Sequence, residues 1–130
     1  MQPLAPPDSA PYPDRKTGLA RLFHTLVCAR DGFLTALRCE AAFRQLLALH
    51  GVLVLTAFCV NLDMAERALL LALSLVSLVV ELLNAALETV VDRISLELHP
   101  LSKSAKGMGS AAQSMALLTV GAVWTVVLWG

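Results

Sequence analysis

The chain has 130 residues, of which 57% are hydrophobic, and its mean hydropathy of +0.69 excludes an ordinary soluble domain. Its ten basic and ten acidic residues cancel, so no broad basic face points to nucleic acid as a partner. A chain of this length is expected to form one domain. Its three cysteines form no CxxC pair, and we expect free thiols rather than a disulfide framework.

The chain divides into a short N-terminal segment and a long segment of different composition. Residues 1–16 contain five of the six prolines and are predicted to be a disordered tail. Residues 17–130 form the predicted membrane domain. Within it, apolar residues recur at spacings of three and four over residues 17–38, with polar residues between them. This pattern predicts an amphipathic helix that would lie in the membrane interface.

Three longer apolar stretches follow, over about 41–62, 68–91 and 109–129. Each has roughly the 20 residues that a helix needs to cross a bilayer. The sequence therefore predicts an all-α membrane protein with three transmembrane helices and an N-terminal surface helix. Pro100 is predicted to end the helix that follows the second span, and residues 101–110 are predicted to form a flexible, basic loop.

The environments of one histidine and two tryptophans within the spans can also be predicted. His50 lies inside the first span, and we interpret it as a hydrogen-bonded helix residue rather than a chemical one. Trp124 and Trp129 lie near the end of the third span, where tryptophan suits the membrane interface.

The distribution of basic residues predicts the orientation in the membrane. Most of them precede or open the first span or flank the connection between the second and third spans: Arg15, Lys16, Arg21, Arg30, Arg38, Arg44, Arg93, Lys103 and Lys106. The connection between the first two spans carries only Arg67. The positive-inside rule then places the N-terminus and residues 92–108 in the cytoplasm.

A polar stripe closes the second span. Glu81, Asn84, Glu88 and Asp92 are separated by three, four and four residues, which brings them to within about 60° of Glu81 on a helix. An ionisable side chain at membrane depth costs about 2.5 kcal/mol or more, so it usually faces a bundle interior or a water-filled site. Asp92, at the end of the apolar run, fits equally well as a helix end that reaches water.

Carboxylates, a carboxamide and a lysine at a cytoplasmic interface suit a metal–nucleotide complex. Mg²⁺ takes oxygen ligands, usually one or two carboxylates together with substrate phosphates. A lysine can neutralise a phosphoryl group, and another carboxylate can accept a proton from a hydroxyl. The P-loop and GxGxxG patterns are absent. Two other interpretations remain open from the residues alone: an ion- or proton-translocating subunit, and a purely structural membrane protein.

Three motifs in order resemble the prokaryotic diacylglycerol kinase family of small membrane kinases. The matching segments are Cys39-Glu-Ala-Ala-Phe-Arg-Gln45, Val80-Glu-Leu-Leu-Asn-Ala-Ala-Leu-Glu-Thr-Val-Val-Asp-Arg-Ile94 and Ala105-Lys-Gly-Met-Gly-Ser-Ala-Ala112. Glu97-Leu-His99 lies between the last two. The resemblance covers about residues 17–129. It implies a homotrimer in the bacterial inner membrane, with cytoplasmic active sites shared between subunits. A related branch of the family phosphorylates undecaprenol, and the EAAFRQ block is more similar to the diacylglycerol branch.

The resemblance also implies a reaction and a role for each matching residue. The reaction transfers the γ-phosphate of ATP to the hydroxyl of diacylglycerol and gives phosphatidic acid. Glu81 is implied as the general base, and Glu40 and Glu88 as ligands of Mg²⁺. The residues implied in ATP binding are Arg21, Cys28, Glu40, Asn84, Glu88, Glu97, His99, Lys106 and Gly107. Those implied in the lipid site are Ala42, Phe43, Arg44, Gln45, Glu81, Ser110 and Trp124.

The chain departs from the family pattern at three positions. Gly107 stands where the family usually has Asp, Cys28 where it has a nucleotide-contacting Tyr, and Pro100 where an acidic residue is common. All three departures bear on nucleotide binding, whereas the implied base and metal carboxylates are retained.

Overall fold

The structure, a computed structural model, describes residues 18–94 and 99–130, and these residues contain helices and no strand. In chain order the helices are α1 (Leu19–Cys39), α2 (Ala41–Cys59), α3 (Met64–Ile94) and α4 (Pro100–Trp129). The predicted all-α class is confirmed. The predicted disordered tail and Glu97 lie outside the described residues.

Within the described residues, α2, α3 and α4 are each long and apolar enough to cross a membrane, as predicted. α2 ends three residues before the predicted boundary, and α3 extends the second span at both ends. With 31 residues, α3 is about 46 Å long and exceeds the roughly 30 Å of a bilayer's hydrocarbon core. Its C-terminal turns, which carry the polar stripe, therefore extend towards the head groups.

Arg67, in the first turn of α3, contacts the end of α2 and the short connection between the two helices. Its guanidinium donates hydrogen bonds to the carbonyl oxygens of Ala57 (3.1 Å) and Leu62 (3.4 Å). The same guanidinium lies 5.6 Å from the centre of the Phe58 ring, a cation–π contact. The last carbonyls of a helix have no partner within the helix, and this arginine satisfies one of them, that of Ala57, together with the Leu62 carbonyl of the connection.

The prediction of a flexible loop over residues 101–110 is wrong, because this segment forms the first turns of α4. Pro100 occupies the start of the helix, where the missing N–H of proline is no disadvantage and its fixed φ suits the helical turn. His99 is the N-cap, and its Nδ1 accepts a hydrogen bond from the Leu101 N–H at 3.1 Å. Alanine, lysine and methionine then favour the helix sufficiently to outweigh Gly107 and Gly109.

The apolar core of the three spans lies at the end opposite the polar stripe. Ala57, Leu70, Val120 and Trp124 form its buried cluster. Partly buried side chains pack around it: Leu53, Leu62, Leu73, Val123 and Val127. Many other large apolar side chains of α2, α3 and α4 are exposed, as a membrane protein requires. All three cysteines, which lie within the described residues, are free thiols as predicted.

The chain divides into two compact units between Leu34 and Thr35, within α1. The described part of the first unit is a helix whose large apolar side chains are exposed: Leu19, Leu22, Phe23, Leu26, Val27 and Phe33. The bounds of α1 agree closely with the predicted 17–38. An exposed apolar stripe is compatible with the predicted interfacial helix. The second unit, Thr35–Gly130, contains the three spans and the polar stripe.

Candidate active site

Glu81 lies on the buried face of α3. The buried residues of this face recur at helical spacing along α3: Leu70, Ser74, Ser77, Glu81 and Ala85. Glu81 is only 5% exposed, although it is an acidic residue in an apolar helix. Asn84 and Glu88, further along the stripe, are half-buried, and Asp92 is exposed. The stripe thus runs from the bundle interior to the surface. The exposure of Asp92 agrees with its interpretation as a helix end that reaches water.

The carboxamide of Asn84 lies between Glu81 and α4. Asn84 follows Glu81 by three residues on α3, so the two side chains are neighbours on one face of the helix and interact. Its Oδ1 atom is buried and has no hydrogen-bond partner among the described residues. A buried amide oxygen without a partner is uncommon in a folded protein. This oxygen is therefore held by packing rather than by a hydrogen bond.

Two further carboxylates, Glu40 and Glu88, are close enough to Glu81 to interact with its charge. Glu40 is the N-cap residue of α2, but its side chain makes no capping hydrogen bond. A carboxylate at an N-cap ordinarily accepts a bond from the first helical turn, so this one is left for another partner. No group of three or more His, Cys, Asp or Glu side chains within residues 18–94 and 99–130 forms a complete metal site.

The donor set nevertheless fits Mg²⁺. This cation prefers oxygen ligands and usually binds through one or two carboxylates and the phosphates of its nucleotide. Glu40 and Glu88, which both interact with the charge of Glu81, are two carboxylates of this kind. A three-residue protein site is not required for this kind of binding.

An ion pair joins the end of α3 to the first turns of α4. Lys106 Nζ and Asp92 Oδ1 are 2.5 Å apart, and the two side chains are 42% and 49% exposed. Lys106 also interacts with the charge of Glu88. The pair therefore places the lysine at the exposed end of the polar stripe. Sequence reasoning assigned Asp92 no specific partner, because the pairing depends on how α4 begins.

Comparison with known proteins gives the site its chemical context. Residues 27–128 match the family model for prokaryotic diacylglycerol kinase. The chain is 51% identical to a diacylglycerol kinase of Pseudomonas aeruginosa over 115 residues, 88% of this chain and 94% of the relative. It is 39% identical to diacylglycerol kinases of Helicobacter pylori strain 26695 (91% and 88% covered) and Escherichia coli K12 (87% and 93% covered).

This chain belongs to the prokaryotic diacylglycerol kinase family. It is a lipid kinase with several membrane-spanning helices. Membership decides between the interpretations that the residues alone left open, because the named relatives are kinases rather than ion-translocating subunits.

The structure gives the family residues at the start of α2 definite environments. Phe43 is fully buried, whereas Ala42 and Gln45 are exposed. The Arg44 guanidinium donates hydrogen bonds to the carbonyls of Leu37 (2.9 Å) and Arg38 (3.0 Å) in the last turn of α1. Arg44 therefore satisfies helix-end carbonyls beside Glu40, a structural contact that sequence reasoning missed. The lipid-site roles of these residues remain predictions of the resemblance.

The two predicted lipid-site residues of α4 are far apart. Ser110 is exposed near the site, but Trp124 is 14 positions further along and so about 21 Å away along the helix axis. Trp124 packs in the buried core, and its Nε1 has no partner among the described residues. Trp129, by contrast, is largely exposed, as a membrane-interface tryptophan would be.

The residues implied in nucleotide binding are only partly brought together. Asn84, Glu88 and Lys106 lie on the α3–α4 pair. Gly107 is exposed, and a methyl group placed on its Cα would have no atom of the described chain within 4 Å. His99 is exposed and uses its Nδ1 to cap α4.

The other implied nucleotide residues stay predictions of the resemblance. Arg21 and Cys28 belong to the first compact unit and are exposed on α1, where Cys28 Sγ lies 3.6 Å from His24 Nε2.

A buried polar cluster that the predicted site did not include lies beneath Glu81. The Ser77 hydroxyl is 2.9 Å from His50 Nε2, and Gln113 Nε2 donates to the same oxygen at 3.4 Å. His50 is 1% exposed, which confirms its interpretation as a hydrogen-bonded helix residue. The cluster joins α2, α3 and α4 one helical turn from Glu81. The only sequence signal for Ser77 and Gln113 is a polar residue within an apolar run.

Ser77→Ala is expected to lower the free energy of unfolding by about 1–3 kcal/mol, because it leaves two buried donors or acceptors without a partner. Denaturation with SDS in mixed micelles measures this change. Ser114→Ala is the matched control, since within the described part of the chain its hydroxyl bonds only to the Ser110 carbonyl on the same exposed helix face. The triple variant with His50→Leu and Gln113→Leu is expected to regain stability, as replacement of a whole polar cluster is often neutral. Equal losses for Ser77→Ala and Ser114→Ala would contradict this role for the cluster.

Proposed function

We propose that this chain is an ATP- and Mg²⁺-dependent diacylglycerol kinase that transfers the γ-phosphate of ATP to the lipid hydroxyl and gives phosphatidic acid. The observation that carries the proposal is the arrangement at the end of α3. A buried carboxylate, Glu81, lies beside the carboxamide of Asn84 and within reach of the charges of Glu40 and Glu88. Family membership supplies the lipid-kinase class.

Glu81 is proposed as the general base. The lipid hydroxyl oxygen forms the new bond to the γ-phosphorus, the bond from that phosphorus to the β-phosphate oxygen of ATP breaks, and ADP leaves. The hydroxyl proton passes to the Glu81 carboxylate, which acts as the positioned general base. The low exposure of Glu81 excludes bulk water, which would otherwise compete with the lipid for the phosphoryl group.

The remaining charged groups are proposed to hold the nucleotide. Glu40 and Glu88 would hold Mg²⁺, which supplies neutralisation of phosphate charge when bound. Lys106 lies at the exposed end of the stripe, where its ammonium group can exchange Asp92 for a phosphate oxygen. Phosphoryl transfer depends mainly on positioning and charge neutralisation, which these residues are suited to provide.

The proposed setting is the cytoplasmic face of the bacterial inner membrane. The basic residues near the start of α2 and the start of α4 support this orientation. A homotrimer with shared sites is also proposed. In its support, Asp92 is exposed, the Lys106 side chain is 42% exposed and Glu88 is half-buried, so a single chain encloses the stripe only in part.

Transfer of labelled γ-phosphate from MgATP in mixed micelles tests the function, with diacylglycerol and undecaprenol offered separately. We expect labelled phosphatidic acid, and its formation should disappear when Mg²⁺ is chelated. Transfer to undecaprenol alone would keep the mechanism and change the lipid. Transfer to neither lipid by a folded protein would contradict the proposal. The departures from the family pattern at Cys28 and Gly107 would then be the first positions to test for loss of nucleotide binding.

A further inference from the structure

A close approach between α3 and α4 brings Gly109 against the side chain of Asn84. A methyl group built on the Gly109 Cα would overlap Asn84 Oδ1 and would lie 3.2 Å from both Asn84 Cγ and Leu87 Cδ2. At the other two glycines of α4, Gly107 and Gly121, no atom of the described chain lies within 4 Å of such a methyl group. Gly109 is thus the glycine of α4 whose missing side chain leaves space that a neighbour uses.

The neighbour that uses this space is poorly held by other means. Asn84 Oδ1 makes no hydrogen bond among the described residues, although it is buried. The other end of the carboxamide is within reach of Glu81. An amide that lacks a bond at its oxygen can rotate about its side-chain torsions unless packing prevents it. Contact with the bare backbone of Gly109 is the packing that the structure provides.

We propose that Gly109 is a positioning residue for phosphoryl transfer: the space left by its missing side chain seats the Asn84 carboxamide against Glu81. The proposal rests on the proposed function, because it gives Asn84 a role beside the general base. Gly109 itself touches no reacting atom. It acts through the location of one side chain.

Gly109→Ala is expected to act locally. The atom that meets the new methyl group is the far end of a side chain, which can rotate away, whereas a backbone atom could not. Alanine also favours a helix more than glycine does. The fold should therefore persist while the Asn84 carboxamide moves away from Glu81. Gly121→Ala is the matched control, since it makes the same change on the same helix in open space.

Nuclear magnetic resonance can detect this movement without any assay of activity. Asn61 and Asn84 are the two asparagines of the chain, so selective ¹⁵N-asparagine labelling marks two side-chain amide groups, each with one nitrogen signal. We expect Gly109→Ala to shift the Asn84 signal and to leave that of Asn61, which lies in the α2–α3 connection, unchanged. Gly121→Ala should move neither signal. An Asn84 signal that is unchanged in Gly109→Ala would overturn the proposal.

Steady-state kinetics with diacylglycerol then tests the effect on turnover. Gly109→Ala is expected to lower kcat about 10- to 100-fold, as a small misplacement in an active site does, with KM for ATP changed less than about twofold. In an Asn84→Ala background the same substitution should reduce kcat by less than about twofold, because the side chain it displaces is gone. A full additional loss in that background would overturn the proposal.

The role of Gly109 and the proposed kinase function can fail independently, and two outcomes distinguish them. If Gly109→Ala fails to fold, the double variant with Asn84→Ala should fold, and failure of the double variant too would overturn the proposal. If the wild-type protein transfers phosphate to neither lipid, the proposed function is contradicted, and the nuclear magnetic resonance result still decides whether Gly109 seats Asn84. Normal turnover by Gly109→Ala in an active kinase contradicts the positioning role alone.

Discussion

Glu81→Gln is expected to reduce phosphoryl transfer to diacylglycerol by at least about 100-fold, the lower end of what a positioned general base contributes. Glutamine keeps the shape of the side chain but cannot accept the hydroxyl proton. Bulk water is not placed to take over this role, because Glu81 is buried. The initial rate of labelled phosphatidic acid formation at saturating MgATP measures the loss.

The control for this variant is Glu66→Gln, which makes the same change near the first turn of the same helix. Glu66 Oε2 accepts a hydrogen bond from the Asp63 N–H at 3.1 Å, a bond that a glutamine oxygen can also accept. We expect Glu66→Gln to retain normal turnover. Glu81→Gln should retain nucleotide binding and its oligomeric state. Loss of assembly together with turnover would indicate that Glu81 has a structural role.

The location of Glu81 could be predicted from sequence because two simple physical rules apply to it. Helical periodicity places Glu81, Asn84 and Glu88 on one side of α3, and the insertion cost of a carboxylate turns that side away from lipid. Both rules depend on one helix only. The structure agrees with the rules, since Glu81 is buried and the exposure of the stripe increases towards Asp92.

The partners of these residues could not be predicted, because partners depend on how separate helices pack. Ser77 is an unremarkable serine in an apolar run, yet it accepts a bond from Gln113, 36 positions later, and contacts His50, 27 positions earlier. The pair of Lys106 with Asp92 likewise depends on the register of α4 against α3. Neither relation follows from spacing within one helix.

At the start of α4 the sequence-based prediction of a loop is wrong for a different reason. Pro100 is predicted to end a helix, and the small and basic residues after it indicate a loop. Proline breaks a helix only in its interior, and at the first position it favours one. The decisive residue is His99, whose ring nitrogen caps the helix, and histidine is not among the usual capping types. The helical start matters for function, because it fixes Lys106, Gly109 and Ser110 on a rigid element.

Glu88→Gln is expected to raise the Mg²⁺ concentration needed for nucleotide binding by about tenfold or more, as loss of a group that supports a metal site does. The physical reason is that Mg²⁺ strongly prefers charged oxygen ligands, and a carboxamide is a neutral one. Titration of Mg²⁺ at fixed ATP, with a fluorescent nucleotide bound to the purified protein in micelles, measures the shift.

Glu66→Gln again serves as the control for this titration, because Glu66 lies at the opposite end of α3 from the stripe. A parallel titration of Glu40→Gln should show a similar shift, because the N-cap carboxylate of α2 makes no capping bond and is proposed as the second ligand. If Glu88→Gln leaves the Mg²⁺ titration unchanged but Glu40→Gln shifts it, Glu88 is not a ligand, and Glu40 is the carboxylate that holds the metal with the nucleotide. If neither variant shifts the titration, the metal is held by the nucleotide alone, and Glu40 and Glu88 act only through their charge on Glu81.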